Sequence, residues 1–192
     1  MDKYGLPAHA KMVFKGILFE VWQWTEKMYD GSTDTFECIV WDDSATIIPT
    51  LGDKILIEDQ EQPDWVARQI SLPGGRCNRG EDPLVCAKRE LLEETGYASN
   101  EWELLKEQKP WGKFRRSEYL YVARNCFYKE SPHLDRGEKI TARPVSFEDF
   151  LALGDNPSFF SREVVPLLIR ARYNGDAKED LRRRVFGGQS AI

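Results

Sequence analysis

The chain has 192 residues, which suits one domain of ordinary size with a small extension. A hydrophobic content of 41% and six tryptophans are enough for a substantial core, and a net charge of −5 argues against a general nucleic-acid-binding protein. The four cysteines form no CxxC pair, so we expect no structural zinc and a reduced chain in the cytoplasm. We also expect no secretory signal and no membrane span, because no apolar run approaches about 18 residues.

The N-terminal part of the chain is rich in residues that favour β-strands. One or two strands are predicted between Val13 and Thr25, with Gly16 as a break, and another from Phe36 to Trp41. The turn residues Tyr29–Ser32 between them predict a hairpin. We therefore divide the chain into a β-rich extension, residues 1–42, and a main domain, residues 43–192.

The main domain is predicted to open with two short strands. These are Ala45–Pro49 and Lys54–Glu58, joined around Leu51–Asp53. A loop that contains Trp65 follows and leads to the glycine pair Gly74–Gly75, which allows a tight backbone path.

A turn and a short helix come next, and they concentrate carboxylates. Asp82 and Pro83 are typical of an N-cap and a first helical position, and Gly96 is a stop signal. Three glutamates of this helix share an arc of about 100°: Glu90, Glu93 and Glu94. A solvated acidic face is one interpretation, and a site for a hard divalent cation such as Mg²⁺ or Mn²⁺ is the other.

Strands, a long loop and further helices are predicted beyond the acidic helix. The strands are runs rich in apolar residues: Trp102–Leu105, Tyr119–Ala123 and Thr141–Val145. The segment from Asn125 to Ile140 is predicted to be a loop, and a loop of that length is usually functional. Ser146 is expected to cap a helix. We expect a final helix from Ser161 to Tyr173, kinked at Pro166, and a solvated tail at Arg182–Arg184.

The segment from Gly75 to Tyr97 resembles the Nudix box. Gly75 is followed after five residues by Glu81, and after seven more by the run from Arg89 to Tyr97, which reads RELLEETGY. Every charged and glycine position of the motif is filled, and Tyr97 is the one departure, since an aliphatic residue is commoner there. The resemblance implies a Nudix fold of the α/β (α+β) class, with a mixed β-sheet sandwiched between helices and a small N-terminal β-hairpin region.

The resemblance also implies a reaction and a set of site residues. The reaction is hydrolysis of a diphosphate linked to a nucleoside, with Mg²⁺ or Mn²⁺ as cofactor. The implied metal ligands are the Gly74 carbonyl, Glu90, Glu94 and, when more than one metal is bound, Glu93. Arg89 and Glu81 match positions that orient the ligand carboxylates. The general base of ADP-ribose-type relatives comes from the long loop, where Glu138 or Asp135 stands in this chain.

ADP-ribose pyrophosphatases of the family suggest the substrate contacts. Pro110 resembles a proline that is typical of those enzymes. Arg68 could reach a phosphate and Trp65 could stack on a base, although a surface arginine and a packed loop aromatic fit the same residues. Ser71 departs from the pattern, because those hydrolases often carry a glutamate there.

The leading hypothesis is a Mg²⁺-dependent pyrophosphatase acting on ADP-ribose or a related nucleoside diphosphate sugar. One alternative is an (oxidised) nucleoside triphosphate pyrophosphatase. The other is a non-catalytic Nudix-fold regulator that binds a ligand, although the intact box counts against it. The N-terminal β-region resembles that of ADP-ribose-type Nudix enzymes, and this resemblance implies a homodimer in which the region roofs the neighbour's nucleotide site. Neither nucleic acid nor membrane is expected as a partner.

Overall fold

The computed structural model of the protein describes residues 3–188. Within these residues the strands are β1 Lys11–Lys15, β2 Phe19–Lys27, β3 Thr33–Trp41, β4 Ser44–Leu51, β5 Lys54–Glu61, β6 Gln69–Ser71, β7 Gly74–Arg76, β8 Tyr97–Ala98, β9 Glu101–Gln108, β10 Phe114–Arg115, β11 Glu118–Arg124, β12 Phe127–Tyr128 and β13 Lys139–Val145. The α-helices are α1 Pro83–Thr95, α2 Phe147–Ala152, α3 Val165–Tyr173 and α4 Gly175–Phe186, with a 3₁₀ turn at Leu153–Asp155. None of the helices in this part of the chain combines the length and the apolar character needed to cross a membrane.

A seven-stranded mixed sheet forms the centre of the molecule. Five strands run in the order β13-β5-β4-β11-β9, while β6 pairs with β5 and β7 pairs with β4. Strand β11 is parallel to β4 and antiparallel to β9. A parallel pair needs a crossover connection, and α1 lies in the chain between β4 and β11.

Both faces of the central sheet are covered by helices, as the side chains of β4 show. Ile47 packs in one core with Cys86, Ala87 and Leu91 of α1. Its neighbour Ile48 packs in a larger core with residues of α2, α3 and α4. Successive strand residues point to opposite faces of a sheet, so α1 covers one face and the other helices cover the second. The predicted class, a mixed sheet between helices, is confirmed.

The N-terminal region forms a second sheet in the order β1-β2-β3-β10. The predicted hairpin is the antiparallel β2–β3 pair, and Gly16 lies in the break between β1 and β2, as expected. Strand β10 comes from the main part of the chain and pairs in parallel with β3, with Phe114 opposite Ile39. Two residues carry no strand pattern of their own, so this pairing is visible only in the tertiary structure.

Three expectations for the C-terminal part are wrong. The helix predicted from Ser161 to Tyr173 begins at Val165, as α3, and it is not the final helix, because α4 follows it. Pro166 does not kink a helix, because α3 begins one residue before it and the missing N–H costs no helical hydrogen bond in the first turn. Arg182–Arg184 are not a solvated tail, because they lie within α4. Arg124 donates a hydrogen bond to the Arg184 carbonyl, and the Arg184 side chain pairs with Glu103 at 3.2 Å. These contacts hold α4 against the sheet.

Candidate active site

Helix α1 has the boundaries that its sequence predicts. The Asp82 carboxylate accepts hydrogen bonds from the backbone N–H groups of Leu84 and Val85, at 2.9 and 3.2 Å, and Pro83 stands in the first turn. Gly96 ends the helix in the left-handed conformation, with a φ of 76°. The caps and the packing against β4 give the acidic side chains of α1 a fixed position.

The glycine pair of β7 lies directly against these acidic side chains. The Gly74 N–H donates a hydrogen bond of 2.7 Å to Glu94. A Cβ at Gly74 would overlap the carbonyl oxygen of Ala45 on β4, and its φ of 152° is one that other residues rarely adopt. A Cβ at Gly75 would lie 2.8 Å from the Glu90 carboxylate. Gly74 must therefore be glycine for β7 to approach β4 this closely, whereas a side chain at Gly75 would displace the Glu90 carboxylate from its present position.

Arg89 binds three carboxylates of the box. Its Nε and Nη2 donate to the two oxygens of Glu81, both at 3.0 Å, and its Nη1 donates to Glu90 at 2.7 Å and to Glu93 at 3.0 Å. The hydrogen bonds between Arg89 and Glu81 raise the pKa of the arginine and lower the pKa of the glutamate. Arg89 and Glu81 therefore remain charged and hold the neighbouring acids in place.

Glu90 and Glu94 do not belong to a solvated helix face. Glu94 is only 5% exposed, and burial, followed by the nearby charges of Glu58 and Glu90, raises its pKa well above the usual range. Burial also raises the pKa of Glu90 to about 6, although Arg89 acts in the opposite direction. The side chain of Glu93 is 44% exposed and lies at the rim. A solvated acidic surface is therefore the wrong interpretation for two of the three glutamates.

A further carboxylate, Glu58, lies close to this group, and the sequence analysis did not single it out. It ends the predicted strand Lys54–Glu58 but lies inside β5, which continues to Glu61. Its side chain is completely buried, and this burial raises its pKa to about 8. The alternation of side-chain direction along β5 is the sequence signal that could have identified Glu58 as a site residue. Since Ile55 and Ile57 face the larger core, Glu58 faces α1.

The long loop after β11 runs along the C-terminal end of α1. Its backbone N–H groups at Lys129 and His133 donate to the carbonyl oxygens of Gly96 and Glu93, at 2.9 and 2.8 Å. A short strand of the loop that the sequence does not predict, β12, pairs with β8, which directly follows α1. These contacts tie the loop to the helix that carries the acids.

Glu138 ends this loop and lies near the buried acids. Its charge contributes to the raised pKa values of Glu58, Glu90 and Glu94. It forms a tight turn with Asp135, whose backbone N–H donates to the Glu138 carboxylate at 3.1 Å. Asp135 itself is exposed. The structure therefore brings Glu138, of the two candidates, to the acidic group.

Two of the predicted substrate contacts have partners within the chain. Arg68 is exposed and pairs with Asp59 at 3.5 Å, next to Glu58 in β5. Trp65 is half-buried, and its ring lies against that of Phe160 in a tilted arrangement with the centroids 4.9 Å apart. The structure thus places both residues in the segment that connects β5 to β6.

Pro110 lies where the central sheet meets the N-terminal sheet. Its neighbours Gln108 and Trp111 line a pocket of about 430 Å³. Aromatic and charged side chains form much of the rest of the lining: Trp41, Lys113, Phe114, Arg115, Arg116 and Glu118. Pro110 follows β9, and Glu138 precedes β13, at the opposite edge of the central sheet. The structure therefore does not bring Pro110 together with Glu138.

The oxygen donors of the site fit a hard divalent cation. Residues 3–188 contain no group of three His, Cys, Asp or Glu side chains already arranged for metal binding. Instead, Glu90 accepts a hydrogen bond from Arg89, and Glu94 accepts one from the Gly74 amide. The donors that meet here are nevertheless carboxylate and carbonyl oxygens, which Mg²⁺ and Mn²⁺ prefer. Among the described residues, Oε1 of Glu58 is buried without a hydrogen-bond partner. A cation would balance this accumulated negative charge.

Comparisons with known proteins identify the family and the fold of the chain. The NUDIX domain family matches residues 41–168, which is more than half of the chain. The crystal structure of an ADP compounds hydrolase has a TM-score of 0.73, covers 91% of this chain and 95% of that chain, and is 19% identical, so it shows a shared fold. The methanol dehydrogenase activator of Bacillus methanolicus is 28% identical over 146 residues, which cover 74% of this chain and 78% of the activator. The chain therefore belongs to the Nudix family of pyrophosphohydrolases.

Proposed function

We propose that this protein hydrolyses the diphosphate linkage of a nucleoside diphosphate derivative, such as ADP-ribose or a nucleoside diphosphate sugar. Its cofactor is Mg²⁺, for which Mn²⁺ can substitute. The burial of Glu90 and Glu94 against the glycine pair of β7 carries the proposal. Buried carboxylates at one place favour a cation, and a diphosphate is a ligand that such a cation binds. The shared fold with an ADP compounds hydrolase supports this substrate class.

The box residues are proposed to hold the cation. The Gly74 carbonyl, Glu90 and Glu94 are its ligands, and Glu93, at the exposed rim, joins them when a second cation is bound. Held by these residues, a divalent cation would supply charge neutralisation of the diphosphate and activation of water. Arg89 and Glu81 keep the carboxylates in position through the hydrogen bonds that connect them.

Glu138 is proposed as the general base. It stands at the end of the long loop, beside the buried acids, and it would accept the proton of the attacking water. Its turn with Asp135 sets its orientation, and the hydrogen bond from His133 to α1 holds the loop that carries it. The loop and the box helix would thus deliver the base and the cation to the same linkage.

Three residues are proposed to contact the substrate. Trp65, which packs against Phe160, would stack its ring on a base of the substrate. Arg68 would leave its ion pair with Asp59 and bind a phosphate of the substrate instead. Pro110 stands beside the pocket between the two sheets, and it would contact a part of the substrate that lies away from Glu138.

A homodimer formed through residues 1–42 is also proposed. Strand β1 is the edge of the N-terminal sheet. Its apolar side chains are largely exposed, with Met12 at 45%, Val13 at 52% and Phe14 at 55%. An exposed apolar edge strand favours pairing with another chain. The homodimer implied by the family resemblance supplies a second copy of the chain to cover it.

A cytoplasmic location is proposed from the state of the cysteines. Cys38, Cys77, Cys86 and Cys126 are all buried and none forms a disulfide. Free thiols persist in a reducing compartment.

The release of nucleoside monophosphate from a panel of compounds tests the proposed reaction. The panel holds ADP-ribose, nucleoside diphosphate sugars and normal and oxidised nucleoside triphosphates, each with Mg²⁺, with Mn²⁺ and with EDTA. We expect release from ADP-ribose or a diphosphate sugar, and EDTA should stop it. Release of pyrophosphate from triphosphates alone would instead assign the protein as a nucleoside triphosphate pyrophosphatase.

Regulation of a partner enzyme is a second candidate function, and the name of the Bacillus methanolicus relative favours it. A non-catalytic regulator would bind a ligand of the same class without cleaving it. The set of box acids is complete, with Glu81, Glu90 and Glu93 bound to Arg89 and Glu94 bound to the Gly74 amide, and this favours hydrolysis over the regulatory role. Tight binding of ADP-ribose in calorimetry, with no product after long incubation with Mg²⁺, would favour the regulator.

A further inference from the structure

Glu58 occupies a place in the sheet that an apolar residue would normally fill. It lies in β5, opposite Ser71 of β6 on one side and Ala142 of β13 on the other. In the same strand, Ile55 and Ile57 pack into the core beneath α2, α3 and α4. Alternation along the strand directs Glu58 to the opposite face, which α1 covers. Its exposure is 0%, so the whole side chain is removed from water.

Among residues 3–188, only one oxygen of this buried carboxylate has a hydrogen-bond partner. Ser71 lies opposite Glu58 in the β5–β6 register, and its hydroxyl donates to Oε2 at 3.3 Å. Within residues 3–188, the second oxygen, Oε1, is the one buried side-chain nitrogen or oxygen without a hydrogen-bond partner. Burying a polar atom without a hydrogen bond costs free energy in a folded protein, so the position of Oε1 indicates a partner from outside the chain.

The charges around Glu58 are negative. Three carboxylates, Glu138, Glu90 and Glu94, lie close enough to interact with it electrostatically. Arg89 directs its hydrogen bonds to other carboxylates of the box. A positive partner is therefore what this place requires.

We propose that Glu58 is a further ligand of the divalent cation in the candidate active site, with Oε1 as the binding oxygen and Ser71 as the residue that holds Oε2. The proposal rests on the proposed function, because the cation is the one that the box carboxylates bind. It adds a β-strand ligand to a set that otherwise comes from α1 and β7. Cation binding would therefore tie the middle of the sheet to the box helix.

Binding of Mn²⁺ to the purified full chain, without nucleotide, tests the proposal. Titration calorimetry, with electron paramagnetic resonance of free Mn²⁺ as a second measure, compares wild type with Glu58→Gln and Glu61→Gln. The control Glu61→Gln changes the charge equally in the same strand, but Glu61 pairs with Lys139 at the surface. We expect Glu58→Gln to weaken binding at least about ten-fold, the lower end of the effect for residues that only support a ligand. Glu61→Gln should leave the affinity unchanged.

Glu58→Asp separates the charge of the side chain from its shape. Aspartate keeps a carboxylate on a shorter stem, whereas glutamine keeps the shape without the charge. If Glu58 is a ligand, the Asp variant retains more Mn²⁺ affinity than the Gln variant, and the opposite order would mean that Glu58 only fills the core. Thermal unfolding of the metal-free variants checks their folding. If both unfold, Ser71→Ala takes their place and is expected to weaken Mn²⁺ binding, with unchanged binding overturning the proposal.

Glu94→Gln distinguishes failure of this proposal from failure of the proposed function. If Glu94→Gln loses Mn²⁺ binding while Glu58→Gln keeps the wild-type affinity, Glu58 is not a ligand and the proposed function stands. If the wild-type chain neither binds Mn²⁺ nor hydrolyses any diphosphate of the panel, both proposals are wrong.

Discussion

The acidic residues of the site differ in what balances their charge. Glu81 lies against the guanidinium of Arg89, which lowers its pKa. Glu94 and Glu58 are buried among other acids, which raises the pKa of each. The first kind of carboxylate suits a supporting role. The second kind is unfavourable in the isolated chain and becomes favourable when a cation binds, so its presence is better explained by function than by stability.

The first prediction concerns two single residues, the box acids Glu90 and Glu94. Glu94→Gln and Glu90→Gln should each lower turnover by at least about 10²-fold, because they remove charge that stabilises the transition state through the cation. The fold should persist, and the metal-free variants should melt at the wild-type temperature or above it, because repulsion between carboxylates is relieved. Turnover at saturating Mg²⁺ and circular dichroism melting measure the two effects.

Glu107→Gln is the control for this prediction. Glu107 is an exposed glutamate of β9, and its substitution changes the net charge by the same amount. It should leave turnover and melting unchanged. Wild-type turnover of Glu94→Gln at saturating Mg²⁺ would refute the assignment of the site.

The second prediction concerns the long loop. Glu138→Gln should lower the hydrolysis rate by about 10²–10⁴-fold, the usual contribution of a positioned base, with little change in substrate affinity. Asp135→Asn should do less, because Asp135 is exposed. Single-turnover rates and calorimetric binding of substrate separate the two effects. If Asp135→Asn lowers the rate strongly and Glu138→Gln only slightly, Asp135 is the base instead of Glu138. If both variants lower the rate only slightly, the base lies in the Nudix box, as Glu93.

At the scale of the elements, the end of α1 and the long loop share one tight contact. Gly96 ends the helix with a positive φ, and its carbonyl accepts hydrogen bonds from the N–H groups of Lys129 and Glu130, at 2.9 and 3.3 Å. A Cβ at Gly96 would overlap the carbonyl oxygen of Glu130. The residue that stops the helix therefore also sets how closely the loop with Glu138 can approach it.

The third prediction tests this double role. Gly96→Ala should lower stability by more than the roughly 1–2 kcal/mol that a left-handed alanine costs, because the loop must also move away from the helix. Gly52→Ala is the matched control, since Gly52 has a φ of 59° and a Cβ there would meet no atom within 4 Å. Denaturant unfolding of both variants measures the loss in free energy of unfolding that each substitution causes. Equal losses would show that the loop contact is unimportant, and a loss of turnover in Gly96→Ala alone would show that the contact positions the loop.

At the scale of the whole molecule, the N-terminal sheet is joined to the main domain by backbone pairing. Strand β10 lies beside β3, and the side chain of Arg115 donates to the carbonyl oxygens of Tyr4 and Gly5 at 3.1 and 2.8 Å. The opposite edge, β1, carries exposed apolar side chains. One edge is thus used within the chain, and the other is available to a second copy.

The fourth prediction is that the full chain is a homodimer at micromolar concentration and that β1 contributes to its interface. Val13→Lys combined with Phe14→Lys should shift the protein to a monomer, because two charges would be buried at the interface. Val66→Lys is the control, since Val66 is an exposed apolar residue outside the extension. Light scattering gives the mass of each. A monomeric wild-type protein would contradict the prediction, and removal of residues 1–41 should leave a monomer or an aggregate with weaker substrate binding.

Local chemistry determined what the sequence alone could predict. Asp82, Pro83 and Gly96 set the limits of α1 through their own hydrogen bonds and backbone angles, and the spacing of the box places its three glutamates on one face. Runs of β-forming residues predicted five of the seven strands of the central sheet, although β5 and β9 extend further than expected. The short strands β6 and β7 were not predicted. These signals depend on neighbours within a few residues, so they can be read without the fold.

Contacts between distant residues decided the rest. The burial of Glu58 depends on which face of β5 meets α1, and the strand β10 exists only because β3 lies beside it. Arg184 is held by Glu103 and Arg124, which lie about 60 to 80 positions away in the chain. The charge of a glutamate or an arginine is visible in the sequence. Whether water, an opposite charge or other carboxylates surround it depends on packing, and that environment is what separates a solvated residue from one that requires a cation.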